Sequence, residues 1–312
     1  MRSIVTASVV FALSSATLAF AQVPLPPPPV PPPPAPPAPL ATPTPPPLPT
    51  LPISIPIPLS VSGNEISGTF DFGDQGLAIG ADVRISFENV IGLVPSAFDA
   101  TATLVSPVDP GLLARLPAGG NVGIPVGFPV VIRISPSPTS RLSFEGYYVI
   151  SLHTHSLRLD PNVPLTLFKS PDGGTFKDVT RSEGRGSFRD DGSGGDFSDF
   201  LIAVDLQPID SIITVKFDDL QALINNNAGA MPPDVVAALQ GFLSNAHTLY
   251  QSGAIRDAIN AMTVFSRYVR AHSGEDIPDV WRANCSPLVN VAALLRSGAE
   301  TLRFSLDRKL SH

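Results

Sequence analysis

The sequence predicts a multidomain protein with β and α parts, in which an antiparallel β-sandwich is followed by a small three- or four-helix bundle. Three observations lead to this fold class. Short segments of alternating apolar and polar residues, separated by Gly, Pro and Asp, fill residues 53–216. Apolar residues then recur every three or four positions through residues 217–310. Ahead of both parts, residues 22–52 are too rich in proline to form a core.

The start of the chain, residues 1–21, has the composition of a signal peptide. A basic residue precedes an uncharged apolar run over residues 4–20, and Ala19 and Ala21 are the small residues that a signal peptidase requires. We therefore expect cleavage before Gln22 and a secreted or periplasmic protein. No later stretch reaches the roughly 20 apolar residues of a membrane span, so we expect no transmembrane segment in the mature chain.

The charge balance limits the kinds of partner. The chain has 20 Lys and Arg and 27 Asp and Glu, and cleavage removes Arg2, so the mature charge is 19 − 27 = −8. This excess of acid argues against nucleic acid, which requires a concentrated basic face. The single cysteine, Cys285, excludes an internal disulfide. We expect a monomer that binds an unknown protein or another cell-envelope partner.

The proline-rich segment predicts a disordered but stiff stalk. Between residues 24 and 58 lie 20 of the 36 prolines, and no charged residue occurs from Gln22 to Asn64. A polyproline II conformation would extend residues 24–49 over about 80 Å. We interpret the segment as a spacer, and a docking site for a proline-binding module is the alternative.

Four segments within residues 53–216 and just beyond have the alternation of strands. The clearest is "ADVRISFENV", where Val83, Ile85 and Phe87 share one face and charged residues the other. The same pattern occurs in "FPVVIRIS", "FLIAVDL" and "IDSIITVKF". Strands of this kind with turn residues between them predict antiparallel sheets, packed as a sandwich or closed as a barrel.

The segment "RDDGSGGDFSD" (189–199) is predicted to be a turn, because its glycines suit the positive φ angles of hairpin connections. The alternative is a calcium site, for which Asp190, Asp191 and Asp196 would supply carboxylate oxygens. The segment lacks the residue order of a calcium-binding loop, so the turn is favoured.

A second candidate metal site is the pair His153 and His155 in "SLHTHSL". Two residues apart on a strand, these side chains share a face and could bind a transition metal. Such a site needs a third or fourth ligand, and the remaining histidines lie in a different segment. Hydrogen-bonded or surface histidines are the alternative, and we expect no cofactor.

Motifs of catalysis are missing from the sequence. No Ser lies in a Gly-x-Ser-x-Gly motif and no acid–base pair is marked by a motif, so no catalytic residue is assigned. A carbohydrate-binding module would need an aromatic platform, but Trp281 falls in the predicted helical part, and Tyr147 and Tyr148 point to opposite faces of a strand. We expect a non-catalytic structural or interaction protein, with an extracellular hydrolase or a carbohydrate-binding module as alternatives.

Three long helices and one short one are predicted after the strands. A helix following Pro232 has an apolar stripe, a second helix with its own apolar stripe begins near Ile255, and a third begins after Asn284 or Ser286. A short helix is predicted near residues 217–224. Together they predict a bundle.

Two resemblances accompany these patterns. The residues Leu243, Ala246, Leu249, Gly253, Ala258, Phe265, Val269, Gly274 and Ile277 resemble a C-terminal helical module of secreted bacterial proteins called the FIMAH domain. The segments "GIPVGFPVVIRISP", "SLHTHSL" and "GSFRDDGSGGDFSDFLIAVD" resemble a family of secreted proteobacterial proteins known only as a domain of unknown function. The second resemblance implies an exported β-sandwich and implies no activity.

Overall fold

The computed structural model describes residues 51–117, 119–158, 163–184, 187–285 and 288–311. The predicted signal peptide and all but the end of the predicted stalk lie outside these residues. The described residues all belong to one compact unit, Leu48–His312.

The described residues form fourteen strands. In chain order they are β1 (Ile53–Pro56), β2 (Leu59–Ser62), β3 (Glu65–Asp71), β4 (Gly80–Ile91), β5 (Phe98–Leu104), β6 (Val122–Gly123), β7 (Val130–Pro136), β8 (Ser143–Arg158), β9 (Leu165–Ser170), β10 (Lys177–Asp178), β11 (Thr180–Gly184), β12 (Ser187–Gly194), β13 (Asp199–Asp205) and β14 (Val280–Arg282). Five helices accompany them: α1 (Pro110–Leu113), α2 (Ile209–Asn226), α3 (Pro233–Gln251), α4 (Ile255–His272) and α5 (Val291–Ser311).

The strands form two seven-stranded antiparallel sheets. Sheet A has the order β1-β5-β7-β13-β9-β10, with β6 beside β13. Sheet B has the order β11-β12-β8-β4-β3-β2, with β14 beside β8. This arrangement confirms a β-plus-α protein with antiparallel sheets.

One hydrophobic core contains side chains of both sheets. Ile85 and Phe87 enter it from β4, and Ile132 and Ile134 enter it from β7. The alternation of these strands in the sequence therefore identified their buried faces correctly. A smaller core covers the other face of sheet A, where Leu201 of β13 meets Leu112 of α1 and its neighbours, so β13 is buried on both faces.

The segment "IDSIITVKF" was expected to be a strand, and this prediction is wrong. It begins α2, whose buried residues Ile213, Phe217, Leu220 and Ile224 follow helical spacing. The β-branched residues mimic a strand pattern over nine positions, but the three- and four-residue spacing continues for two more turns. The helix spans residues 216 and 217, where the boundary between the predicted domains was placed.

Helices α2–α5 share a second hydrophobic core. Its fully buried members include Leu239 of α3, Phe265 of α4 and Leu302 of α5. The predicted apolar stripes of α3 and α4 are confirmed, since Val235, Ala246, Ala258, Met262 and Val269 are buried. Among the described residues, no helix has the length and apolar character needed to cross a bilayer.

Trp281 also differs from its expected position. It lies in β14, which pairs with β8, and its ring stacks on Phe144 at 5.2 Å between centroids. Tyr147 and Tyr148 occupy opposite faces of β8 as predicted, with Tyr148 fully buried. These three aromatic rings therefore do not form one exposed platform.

Candidate functional site

The segment "RDDGSGGDFSD" is mostly strand, so the turn prediction is wrong. Residues 189–194 belong to β12, which pairs with β8 on one side and β11 on the other. The φ angles of Gly192, Gly194 and Gly195 are outside the left-handed region. The glycines are therefore not needed for a turn.

Close packing explains these glycines instead. A Cβ atom on Gly194 would lie 2.6 Å from Tyr148 Oη and 2.9 Å from Lys169 Nζ. A Cβ atom on Gly195 would lie 2.8 Å from the Cβ of Ala293 in α5. Side chains and a helix approach this strand more closely than any residue except glycine allows.

Helix α5 contacts β8, β11 and β12 on the face of sheet B that is turned away from the core. Ser297 Oγ is 2.9 Å from Ser193 Oγ of β12. Arg296 donates two hydrogen bonds of 2.6 Å to the carboxylate of Glu88, which belongs to β4. The guanidinium also lies 4.5 Å from the ring centre of Tyr147. We call this region the helix-covered half of sheet B.

A cavity of about 340 Å³ lies between strands β9, β10 and β12 and helices α2 and α5, and we call it the junction cleft. Its apolar lining consists of Val179, Leu220, Leu223 and Leu294. Ser193, Ser297 and Thr301 add hydroxyl groups. The volume falls within the range of small-ligand pockets, about 300–1,000 Å³.

Three lysines line the junction cleft, and each is paired with a carboxylate. Lys169 contacts Asp196, Lys177 Nζ is 2.6 Å from Asp219 Oδ1, and Lys216 Nζ is 2.6 Å from Asp178 Oδ2. The Lys216 and Asp178 side chains are only 7% and 9% exposed. Lys216 also donates to Thr301 O at 3.1 Å and Ser305 Oγ at 2.9 Å. This buried pair ties α2 and α5 to the edge of sheet A.

Two carboxyl groups, the fully buried Asp190 and the partly buried Glu183, lie near this pair. Burial raises the pKa of Asp190 well above its ordinary value, and the charges of Glu183, Asp178 and Asp191 raise it further. Burial also raises the pKa of Glu183, against the opposing charge of Arg308. Asp190 Oδ2 is 3.4 Å from Thr180 Oγ1, and Oδ1 has no hydrogen-bond partner within the described ranges. A protonated Asp190 would be a hydrogen-bond donor.

A second cavity, of about 350 Å³, lies on the other side of the Lys216–Asp178 and Lys177–Asp219 pairs. Its lining adds Phe168, Phe176, Ile212 and Val215. Burial raises the pKa of Asp205 in this wall, although hydrogen bonds from Gln207 oppose the shift. The two ion pairs therefore separate two mainly apolar cavities.

The predicted calcium ligands point in different directions. Asp190 is fully buried, whereas Asp191 Oδ2 accepts a hydrogen bond of 2.8 Å from Ser182 on the opposite face of β12. Asp196 contacts Lys169. The structure does not bring these three carboxylates together.

The two predicted histidines do come together, on a part of sheet B that no described helix covers. Asp82 of β4 lies between them, with its Oδ2 atom 3.2 Å from His153 Nδ1 and 3.3 Å from His155 Nε2. A shallow depression of about 430 Å³ lies beside them, and its lining includes Thr69, Asp82, Arg84, Ser151, His153 and Arg189. We call this region the open polar face.

Sequence reasoning missed Lys169, Lys216 and Asp82. Asp82 occupies an outward position in the clearest predicted strand, but only the register Asp82↔His153 between β4 and β8 places it beside the histidines. The two lysines interrupt apolar runs, at "LFKSP" and "TVKFDD", and a charged residue at an otherwise buried position is the signal that could have identified them.

Comparison with curated proteins and with solved structures finds no match. A family model described as a family of unknown function, DUF6689, matches residues 44–309. This match covers most of the 312 residues, including every described strand and helix up to the last residues of α5. The chain therefore belongs to this family of unknown function.

Proposed function

We propose that this chain is an exported, non-catalytic interaction protein, held on a proline-rich spacer, whose junction cleft binds an amphipathic group of a cell-envelope partner. The proposal includes a sandwich packing of the two sheets and a C-terminal helical bundle with the FIMAH-like pattern. Export rests on the apolar run over residues 4–20 and the alanines that follow it.

The observation that supports binding is the chemistry of the junction cleft. Apolar side chains of α2 and α5, together with Val179 after β10, lie beside lysines that are already paired with carboxylates. Each of the three lysines already contacts a carboxylate, so none of them is placed as a free nucleophile. The Ser193 and Ser297 hydroxyls bind each other, and none of the described lining residues is His or Cys. The lining suits recognition of an apolar group with a polar end.

An amphipathic anion, anilinonaphthalene sulfonate, is a direct probe of the junction cleft. We expect saturable fluorescence with the wild-type protein and its loss in Leu223→Trp, because the larger ring fills the cavity. Val264→Trp is the matched control, since Val264 is 44% exposed on α4 and does not line the cleft. Equal fluorescence in all three proteins would overturn the proposed binding site.

The hydrolase alternative is tested on the same proteins with p-nitrophenyl esters. We expect the wild-type rate to equal that of buffer. Turnover that disappears in Ser193→Ala or Lys169→Met would replace the binding proposal with a hydrolase. Export is tested separately by sequencing the N-terminus of the protein recovered outside the cytoplasm, which should begin at Gln22.

A further inference from the structure

We propose that the open polar face holds a site for a late first-row divalent metal ion such as Zn²⁺, with Asp82, His153 and His155 as its protein ligands. The site is independent of the junction cleft and of the function proposed for it.

Two of the three ligand-to-ligand distances fit a metal site. His153 Nδ1 and His155 Nε2 lie 3.2 and 3.3 Å from the same oxygen, Asp82 Oδ2. With zinc–ligand bonds of about 2.0–2.1 Å, two ligands of a tetrahedral site are about 3.3 Å apart. Imidazole nitrogen and carboxylate oxygen are both ligands that zinc accepts.

A neighbouring hydroxyl group holds the Asp82 carboxylate in place. Thr69 Oγ1 donates a hydrogen bond of 2.8 Å to Asp82 Oδ1, which leaves Oδ2 directed at the imidazoles. A hydrogen bond of this kind to a ligating carboxylate is the usual support of a metal ligand.

The three proposed ligands lie at the protein surface. The three side chains are between 28% and 47% exposed, so water can reach a fourth coordination position.

The ion must displace existing contacts. As the side chains stand, no three His, Cys, Asp or Glu groups in the described ranges enclose a cation. The hydrogen bonds from the imidazoles to Asp82 would be exchanged for bonds to the metal, by rotation of the side chains on a fixed pair of strands.

Calorimetric titration of the full chain, made without a histidine tag, with Zn²⁺ tests the proposal. We expect one Zn²⁺ per chain with micromolar or tighter affinity, weakened more than about tenfold by Asp82→Asn and by His155→Gln. Thr69→Val should weaken binding by about tenfold through loss of the supporting hydrogen bond. Co²⁺ in place of Zn²⁺ should give the visible absorption of a four-coordinate site.

The matched control is His272→Gln, which removes a single His–Asp pair, since His272 Nδ1 is 2.5 Å from Asp276 Oδ2. This variant should bind Zn²⁺ like the wild type. Absence of Zn²⁺ binding by the wild type would overturn the proposal, as would equal affinity in all variants. If Asp82→Asn fails to fold by circular dichroism, His155→Gln and Thr69→Val decide the question.

Discussion

The two halves of the outward face of sheet B share the same strands but have opposite surroundings. On β8, Tyr147 lies under Arg296 of α5, whereas His153, six residues further along, belongs to the open polar face. The covered half places glycine and serine against the helix, and the open half has charged and imidazole side chains. The difference shows that Ser193 and Gly195 lie where α5 packs against the sheet.

The largest expected effect is at the buried pair beside the covered half. Lys216→Met removes the partner of Asp178, which is 9% exposed, and should lower the free energy of unfolding by about 3–5 kcal/mol because a charge is left buried without a partner. Urea unfolding measures this loss. Lys177→Met is the control, because its pair with Asp219 is 60% and 40% exposed and should contribute at most about 0.5 kcal/mol. Equal losses would contradict the role assigned to burial.

The glycine contact with α5 gives the next largest effect. Gly195→Val places carbon atoms against Ala293 and the backbone of Leu294, so we expect a destabilisation of about 1–3 kcal/mol from overpacking. Thermal unfolding measures it. Gly123→Ala in β6 should have little effect, because no atom lies within 4 Å of its Cβ position. A stable Gly195→Val protein would mean that α5 is not closely seated on this strand.

Two arginine–glutamate pairs compare the halves directly. The Arg296–Glu88 pair has two bonds of 2.6 Å, whereas Arg84 and Glu65 on the open side are 3.4 Å apart, with Arg84 63% exposed. Double-mutant cycles with methionine and glutamine should give a coupling of about 1–2 kcal/mol for the first pair and about 0–0.5 kcal/mol for the second. A larger coupling energy for Arg84–Glu65 than for Arg296–Glu88 would contradict this expectation.

The last expected effect is a change in pH dependence. The pKa of Asp190 is raised from 3.8 mainly by burial, so above about pH 4 the folded protein keeps a proton that the unfolded chain releases. The free energy of unfolding should therefore fall as pH rises towards the folded pKa. The Asp190→Asn variant cannot ionise at this position. Its free energy of unfolding, measured with urea, should therefore fall less steeply between about pH 4 and pH 8. Asp191→Asn should change the slope much less, because burial contributes more to the raised pKa of Asp190 than the charge of Asp191 does.

Regular patterns were predictable from the sequence, and packing that depends on distant partners was not. The alternation in β4 and the apolar stripes of α3 and α4 correctly identified their buried faces. The glycines of β12 were misinterpreted because a turn and a close contact with a distant helix both require small residues. Residues 209–217 were misinterpreted because β-branched residues in a short window fit a strand as well as a helix.

The candidate sites depended even more on distant contacts. His153 and His155 could be placed on one face from their spacing, but Asp82 joins them only through the register of β4 and β8. The junction cleft combines residues of β9, β10, β12, α2 and α5, and no local pattern indicates which of these elements meet. The sequence therefore predicted which residue types could bind a ligand, but not which of them lie together in the structure.

The attachment of α5 to sheet B also has a consequence for how the chain folds during synthesis. Arg296 and Glu88, which form two hydrogen bonds, are 208 residues apart. After Glu88 has been made, the ribosome must therefore add 208 more residues before this contact can form. Until then Ser193 lacks the hydroxyl partner that α5 provides, and contacts of such long range slow folding. The strands that α5 packs against are therefore synthesised long before the helix that covers them.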